Sequence, residues 1–225
     1  SIFGIIFESC IAGVGNSLIV ETPKKNYEDL KTVTYLVGWL ICISCTCFTV
    51  LYQPFMIMWV GKKYLMEFPL VVCMIIYFFL YEIDQLVGLY KDAAGIWYSD
   101  RYRTIISALS NLVMNIFLVH YIGLYGVLIS TILALLIIDL PWLLHNVFKT
   151  LFVNQSLKKY VIELIKLALY STISSFISYI LCRNINFKGV IGLAVRLIIA
   201  VVISCGIFII AEFKSEQFKK SKKIL

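Results

Sequence analysis

The sequence predicts an all-α polytopic membrane protein, and three observations carry that prediction. Apolar runs long enough to cross a hydrocarbon core, about 20 residues each, recur along the whole chain. Charged residues make up only 15% against 61% hydrophobic, too little charge to cover a soluble surface. Lys and Arg fall unevenly between the loops, as they do in spanning proteins. The net charge of +7 is dispersed among those loops and not gathered in one patch, so the chain is read as a partner of the lipid bilayer and not of nucleic acid.

Taken in order, residues 2–20 form the first span, with Gly13 and Ser17 spaced for close helix packing. Residues 21–31 read as a short polar loop containing Pro23. The second span covers 32–52, where Gly38, Cys42 and Thr46 make a ridge of small side chains. Pro54 is expected to interrupt it, because proline has no backbone N–H to give a helix interior. Tyr52, Phe55 and Trp59 before Gly61-Lys62-Lys63 fit an interfacial aromatic belt. Residues 68–90 are the third span and 103–122 the fourth. The turn Gly123-Leu124-Tyr125-Gly126 leads into the fifth, 127–147, with Gly126, Ser130 and Ala134 at small-xxx-small spacing. Residues 160–182 and 190–213 are the sixth and seventh, followed by a basic tail, 214–225.

Alternating the loops puts fourteen Lys and Arg on one side and four on the other, with Lys166 and Arg196 left inside spans. The positive-inside rule then makes the richer side, with the C-terminus and the 91–104 junction, cytoplasmic, in the cell membrane. The chain opens on Ser1 already within an apolar run, and is read as a fragment lacking its N-terminal part. Seven cysteines lie almost wholly in apolar runs. Cys42, Cys45 and Cys47 have no His or carboxylate beside them in their span, and are read as buried thiols and not as a metal site.

Ionisable groups inside spans are costly unless paired or hydrated, which makes each a functional candidate. Tyr77, Tyr81, Asp84, Gln85 and Gly88 follow helical spacing and form one polar stripe on the third span. The stripe either lines a water-filled cavity or is solvated at the cytoplasmic end. Ser107, Asn111 and Asn115 recur at every fourth position of the fourth span, facing a cavity or bonding to a neighbouring helix. Asp139 precedes Pro141 and is read as a gate or ion-coupling residue, or as the salt-bridge partner of Arg101 or Arg103. Arg196 is expected to snorkel to the interface or to meet an anionic head group. No nucleophile elbow, metal-ligand spacing or glycine-rich phosphate loop is present, so the chain is read as a transporter or lipid-handling protein, without enzymatic activity or cofactor.

The order of certain residues resembles bacterial oligosaccharide flippases, the O-antigen or capsule type of the MOP exporter superfamily. They are Gly15-Asn16-Ser17 with Tyr27, Gln53-Pro54-Phe55 with Trp59-Val60-Gly61, and Tyr90-Lys91-Asp92-Ala93-Ala94-Gly95-Ile96-Trp97 with Asp100-Arg101-Tyr102-Arg103. Asn111-Leu112, Asn115, Gly123, Gly126-Val127 and Thr131 follow. The resemblance implies that residues 1–148 are the second lobe of a MATE-like two-lobe transporter fold, without its first helix. Residues 149–213 would then be two added C-terminal spans and 214–225 a cytoplasmic tail. It implies translocation of undecaprenyl-pyrophosphate-linked oligosaccharide by alternating access, with a coupling cation and a polysaccharide polymerase as further partners. Arg101 and Arg103 would attract the pyrophosphate, while Tyr81, Asp84, Gln85, Asn111 and Asn115 would line the substrate path. An ion-coupled multidrug exporter of the same superfamily and a non-transporting scaffold of a polysaccharide assembly complex are the alternatives.

Overall fold

A computed structural model describes residues 2–185, 187 and 189–213. Lys188 and the basic tail 214–225, both used in the charge count, lie outside the described residues. Among those described, the chain is helical without strands. Its elements are α1 (Ile2–Val20), α2 (Pro23–Trp59), a 3-10 turn (Lys62–Tyr64), α3 (Phe68–Ala93) and α4 (Arg103–Ile122). They continue with α5 (Leu124–Ala134), a π-turn (Leu135–Asp139), α6 (Leu140–Thr150), α7 (Leu157–Arg183) and α8 (Gly189–Glu212). Seven of these stretches are long and apolar enough to cross a membrane, with α5, the π-turn and α6 counting as one. The chain is a multi-pass membrane protein in architecture.

Two expectations are corrected. The polar stretch 21–31 is not a loop, since α2 begins at Pro23 and carries Lys24 through Lys31 in its first turns. Thr22 caps that start by accepting the Lys25 N–H at 3.3 Å, and Pro23 occupies the first helical position, where its missing N–H costs nothing. Nor does Pro54 end the helix, which runs on to Trp59. A helix of this length has enough remaining hydrogen bonds and packing to hold one proline, which leaves a single carbonyl, that of Val50, without its helical donor.

The chain divides into two compact units. The first comprises Ser1–Lys31 and Ile76–Tyr160. An aromatic core organises it, in which Phe148 packs 5.4 Å from Phe152 and 5.5 Å from Tyr160, and Tyr27 meets both phenylalanines at 5.9 and 5.7 Å. Ser17 Oγ donates to Asn26 Oδ1 at 2.9 Å and joins the end of α1 to the start of α2. Gly126 sits so close to the backbone of Leu118 and Val119 that a methyl group has no room there. The small residues Gly126, Ser130 and Ala134 are all buried, so this ridge of α5 does let α4 approach, as its spacing predicts.

The second unit comprises Thr32–Ile75 and Val161–Leu225. Here Cys42, Cys45 and Thr46 are fully buried on α2, and Cys42 Sγ lies 3.8 Å from Ser174 Oγ on α7. A Cβ on Gly38 would stand 2.6 Å from a Leu167 methyl, so the predicted ridge is the seam against α7. Thr46 and Thr49 return their hydroxyls to the carbonyls of Cys42 and Cys45 at 2.8 Å, leaving only methyl groups to pack. Tyr35, Trp39 and Tyr170 surround Phe208 of α8. Arg196 reaches back along α8 toward its N-terminal end. It donates to the carbonyls of Gly192 (3.2 Å), Ile185 (3.0 Å) and Phe187 (3.5 Å), closing the α7–α8 connection over its own helix start.

Candidate functional site

Three of the ionisable side chains singled out from the sequence, Asp84, Arg103 and Asp139, meet inside the first unit. Local sequence sets up the first contact. Lys91 lies near the end of α3 and the chain turns at Gly95, whose φ of +66° is a left-handed conformation that glycine takes without strain. That turn brings Asp100 to the start of α4, where its carbonyl accepts the Arg103 N–H at 3.0 Å and its carboxylate receives Arg103 Nε at 2.9 and 3.0 Å. A carboxylate at a helix N-terminus is also favoured by the exposed N–H groups there.

Two further carboxylates come from distant elements. Arg103 Nη1 lies 3.0 Å from Asp139 Oδ1 on the π-turn and 3.5 Å from Asp84 Oδ1 on α3. The π-turn has a visible cause. Pro141 offers no N–H to the carbonyl of Ile137, and the backbone widens so that the Leu140 N–H bonds to Leu135 O, five residues back. Asp139 closes that widened turn, and its second oxygen accepts the hydroxyl of Ser107, one helical turn beyond Arg103. Asp100 is held from two more directions, by Lys91 Nζ at 3.5 Å and by Asn146 Nδ2 of α6 at 3.2 Å. Lys91 also pairs with Asp92 at 2.9 Å.

The cluster therefore places two cations among four carboxylates, with Arg103, Asp84 and Asp100 buried. A guanidinium saturated by carboxylates is a structural hub as much as a ligand site, because each removed partner leaves a charge without its counter-ion. Arg101 is placed quite differently. It is exposed, and its guanidinium lies 4.2 Å from the Tyr98 ring and 4.5 Å from that of Tyr102. Cation–π contacts of this kind hold the side chain without using its hydrogen-bond donors.

Beside the hub opens a recess of about 230 Å³, walled by Tyr77, Tyr81, Thr104, Ser107, Asn111, Thr131 and Asp139 together with Ala108, Ala134 and Leu135. Tyr77 and Tyr81 are stacked at 5.7 Å, one turn apart on α3. The Asn111 carbonyl oxygen is buried and has no hydrogen-bond partner among the described residues, and the same holds for Asn115. Of the residues expected to line a substrate path, Tyr81 and Asn111 wall the recess, and Asp139, expected as a gate or ion-coupling residue, walls it with them. Asp84 and Arg103 belong to the adjoining ion cluster, while Gln85, Asn115 and Arg101 contribute to neither wall nor cluster. Asp84 is not solvated at a helix end; it is buried and paired.

Sequence reasoning did not assign roles to Asp100, Asn146 or Thr131. Asp100 carried a usable signal, three residues before Arg103 at the head of a helix. Asn146 and Thr131 carried none, since their contacts depend on how α4, α5 and α6 meet. Comparisons of the chain with protein-family models, with curated proteins and with solved structures find no match.

Proposed function

We propose that this chain is part of a bacterial flippase that moves a polyprenyl-pyrophosphate-linked oligosaccharide from the inner to the outer leaflet of the cell membrane. The observation that carries the reading is a recess in helices apolar enough to span a bilayer, whose mainly apolar walls carry tyrosine rings and a few amide, hydroxyl and carboxylate groups. Carbohydrates are bound by that combination, rings against C–H faces and side-chain hydrogen bonds to hydroxyls. The polyprenyl tail of such a substrate needs no protein pocket, because lipid solvates it. The order of residues quoted above for flippases supports the same reading, as a second lobe of a MATE-like fold with its C-terminus in the cytoplasm.

Within this proposal the two arginines separate. Arg103 is already neutralised by Asp84, Asp100 and Asp139, so the role of receiving pyrophosphate falls to Arg101, whose donors make no hydrogen bond or ion pair among the described residues and whose planar fork suits phosphate oxygens. One observation favours a second reading. Carboxylates outnumber cations in the cluster, an arrangement that suits a cation-coupled multidrug exporter, with Asp139 or Asp84 as the coupling group.

Deleting the gene tests both. Loss or shortening of surface glycan with build-up of its lipid-linked precursor is the expected result, restored by the wild-type gene and only weakly by the Arg101→Ala form. Unchanged glycan together with raised sensitivity to cationic dyes would select the exporter instead.

A further inference from the structure

We propose that Arg196 binds the phosphate group of a membrane phospholipid, holding one lipid at the α7–α8 connection. The inference goes beyond the flippase reading, because it concerns a part of the second unit that no transport step invokes.

The balance of charge comes first. α8 carries the most apolar of the seven spans, and Arg196 is its one charged residue before Glu212 at its end. A charge in such a segment needs a counter-ion or water. The ion pairs of the described residues do not include Arg196. Its hydrogen bonds go to three backbone carbonyls, whose dipoles solvate the guanidinium and leave its net charge standing. The sequence adds to the excess, since the fourteen residues from Arg183 to Arg196 hold Lys188 besides the two arginines and contain no Asp or Glu. This end of the α7–α8 pair is short of an anion.

Geometry selects which anion. A guanidinium presents five N–H donors in a planar fork. Arg196 gives two hydrogen bonds from Nη1 and one from Nη2, so Nε–H and one N–H of Nη2 are unspent among the described residues. Donors in that planar fork suit the oxygens of a phosphate. The side chain is held ready for it. Gly192 is bare where it meets the Phe187 carbonyl, and a Cβ there would also stand 3.1 Å from Arg196 Nη1.

Depth and surroundings make the anion a lipid. The Cα of Arg196 lies roughly 10 Å into α8 at about 1.5 Å per residue, yet the bonds to Ile185 and Phe187 return its charge to the helix start. A helix of 24 residues is about 36 Å long against a hydrocarbon core of about 30 Å, so that start reaches the level of the head groups. Phe187, Val190 and Ile191 are well exposed there, an apolar surface that acyl chains cover and a free phosphate ion does not. A phospholipid satisfies both the charge and the surface.

Amide hydrogen exchange of the full chain in detergent tests the site, read as the ratio of rates without and with ligand at the start of α8. Dioleoyl phosphatidylglycerol, titrated to about ten times the concentration of half effect, should slow exchange there about tenfold. Dioleoylglycerol has the same chains and no phosphate, inorganic phosphate has no chains, and each should change the rate less than about twofold. Arg196→Gln should lose the phosphatidylglycerol effect, measured against its own lipid-free rate. Lys63→Gln, which removes another cation of the second unit, should keep it. No slowing by phosphatidylglycerol, equal slowing by dioleoylglycerol or by inorganic phosphate, an effect retained in Arg196→Gln, or one lost in Lys63→Gln would each overturn the proposal. If Arg196→Gln does not fold, the three ligands compared on the wild-type chain decide it.

Discussion

Replacing Arg103 with Met keeps the length of the side chain and removes its charge, and the surroundings set how much that costs. Among the described residues, Asp84 makes its ion pair with Arg103, whereas Asp139 retains Ser107, and Asp100 retains Lys91 and Asn146. The burden falls on Asp84, a buried carboxylate stripped of its counter-ion, for which a loss of about 3–5 kcal/mol is typical. In a chain of this size each kcal/mol moves the melting temperature by about 2–4 °C, so Arg103→Met should melt about 6–20 °C lower. Thermal unfolding in detergent followed by circular dichroism in the helix band reads this, with the fluorescence of Trp97 and Trp142 reporting on the unit that holds Arg103. Adding Asp84→Asn to Arg103→Met should recover half or more of the loss, with a coupling energy of about 1–3 kcal/mol between the two sites. A single variant melting within about 2 °C of wild type, or a double variant no better than the single, would refute the hub.

Three other outcomes are expected from the same structure. Gly126→Ala should cost about 1–3 kcal/mol, because its methyl meets the α4 backbone, which cannot step aside; Gly13→Ala, with open space around it, should be neutral or slightly stabilising in the same melt. Arg196→Gln should leave the melt nearly unchanged while speeding amide hydrogen exchange in the α7–α8 connection, where three carbonyls lose their donor. A fluorescent protein fused after Phe213 should fluoresce, and a phosphatase that matures only outside should stay inactive there, if the Lys and Arg bias sets the C-terminus in the cytoplasm.

What could be read from the chain follows from the range of the interactions involved. Spans are local, a matter of about 20 apolar residues in a row, and the limits of α4 come out of the sequence unchanged at Arg103 and Ile122. Helix ends were misjudged where polarity was taken for irregularity. Residues 24–31 are charged because α2 extends beyond its apolar part, and Thr22-Pro23 is a start signal that hydropathy overlooks. The pairing of Asp139 with an arginine of the fourth span was legible as one of two choices, and the structure selects Arg103. That Asp84 joins them was not, because nothing in a single sequence states which rotation of α3 meets which rotation of α4. The hydrogen bonds of Arg196 were not legible for a related reason. Its partners are backbone carbonyls, which no residue type announces.

The hub around Arg103 also carries a consequence for how the protein is made. A chain emerges from the ribosome N-terminus first, and its helices enter the bilayer in that order. Asp139 lies 36 residues after Arg103, which at about 5–20 residues per second is a delay of roughly 2–7 s. Asp84 and Asp100 precede the arginine, so two of its three carboxylate partners are already synthesised when it emerges. Asp139 arrives last, to a cation already waiting, and its capture by Arg103 and Ser107 sets the rotation at which α5 and α6 dock. On this account the aspartate three residues upstream serves assembly as a chaperone within the chain, and moving it should be felt in yield before it is felt in activity.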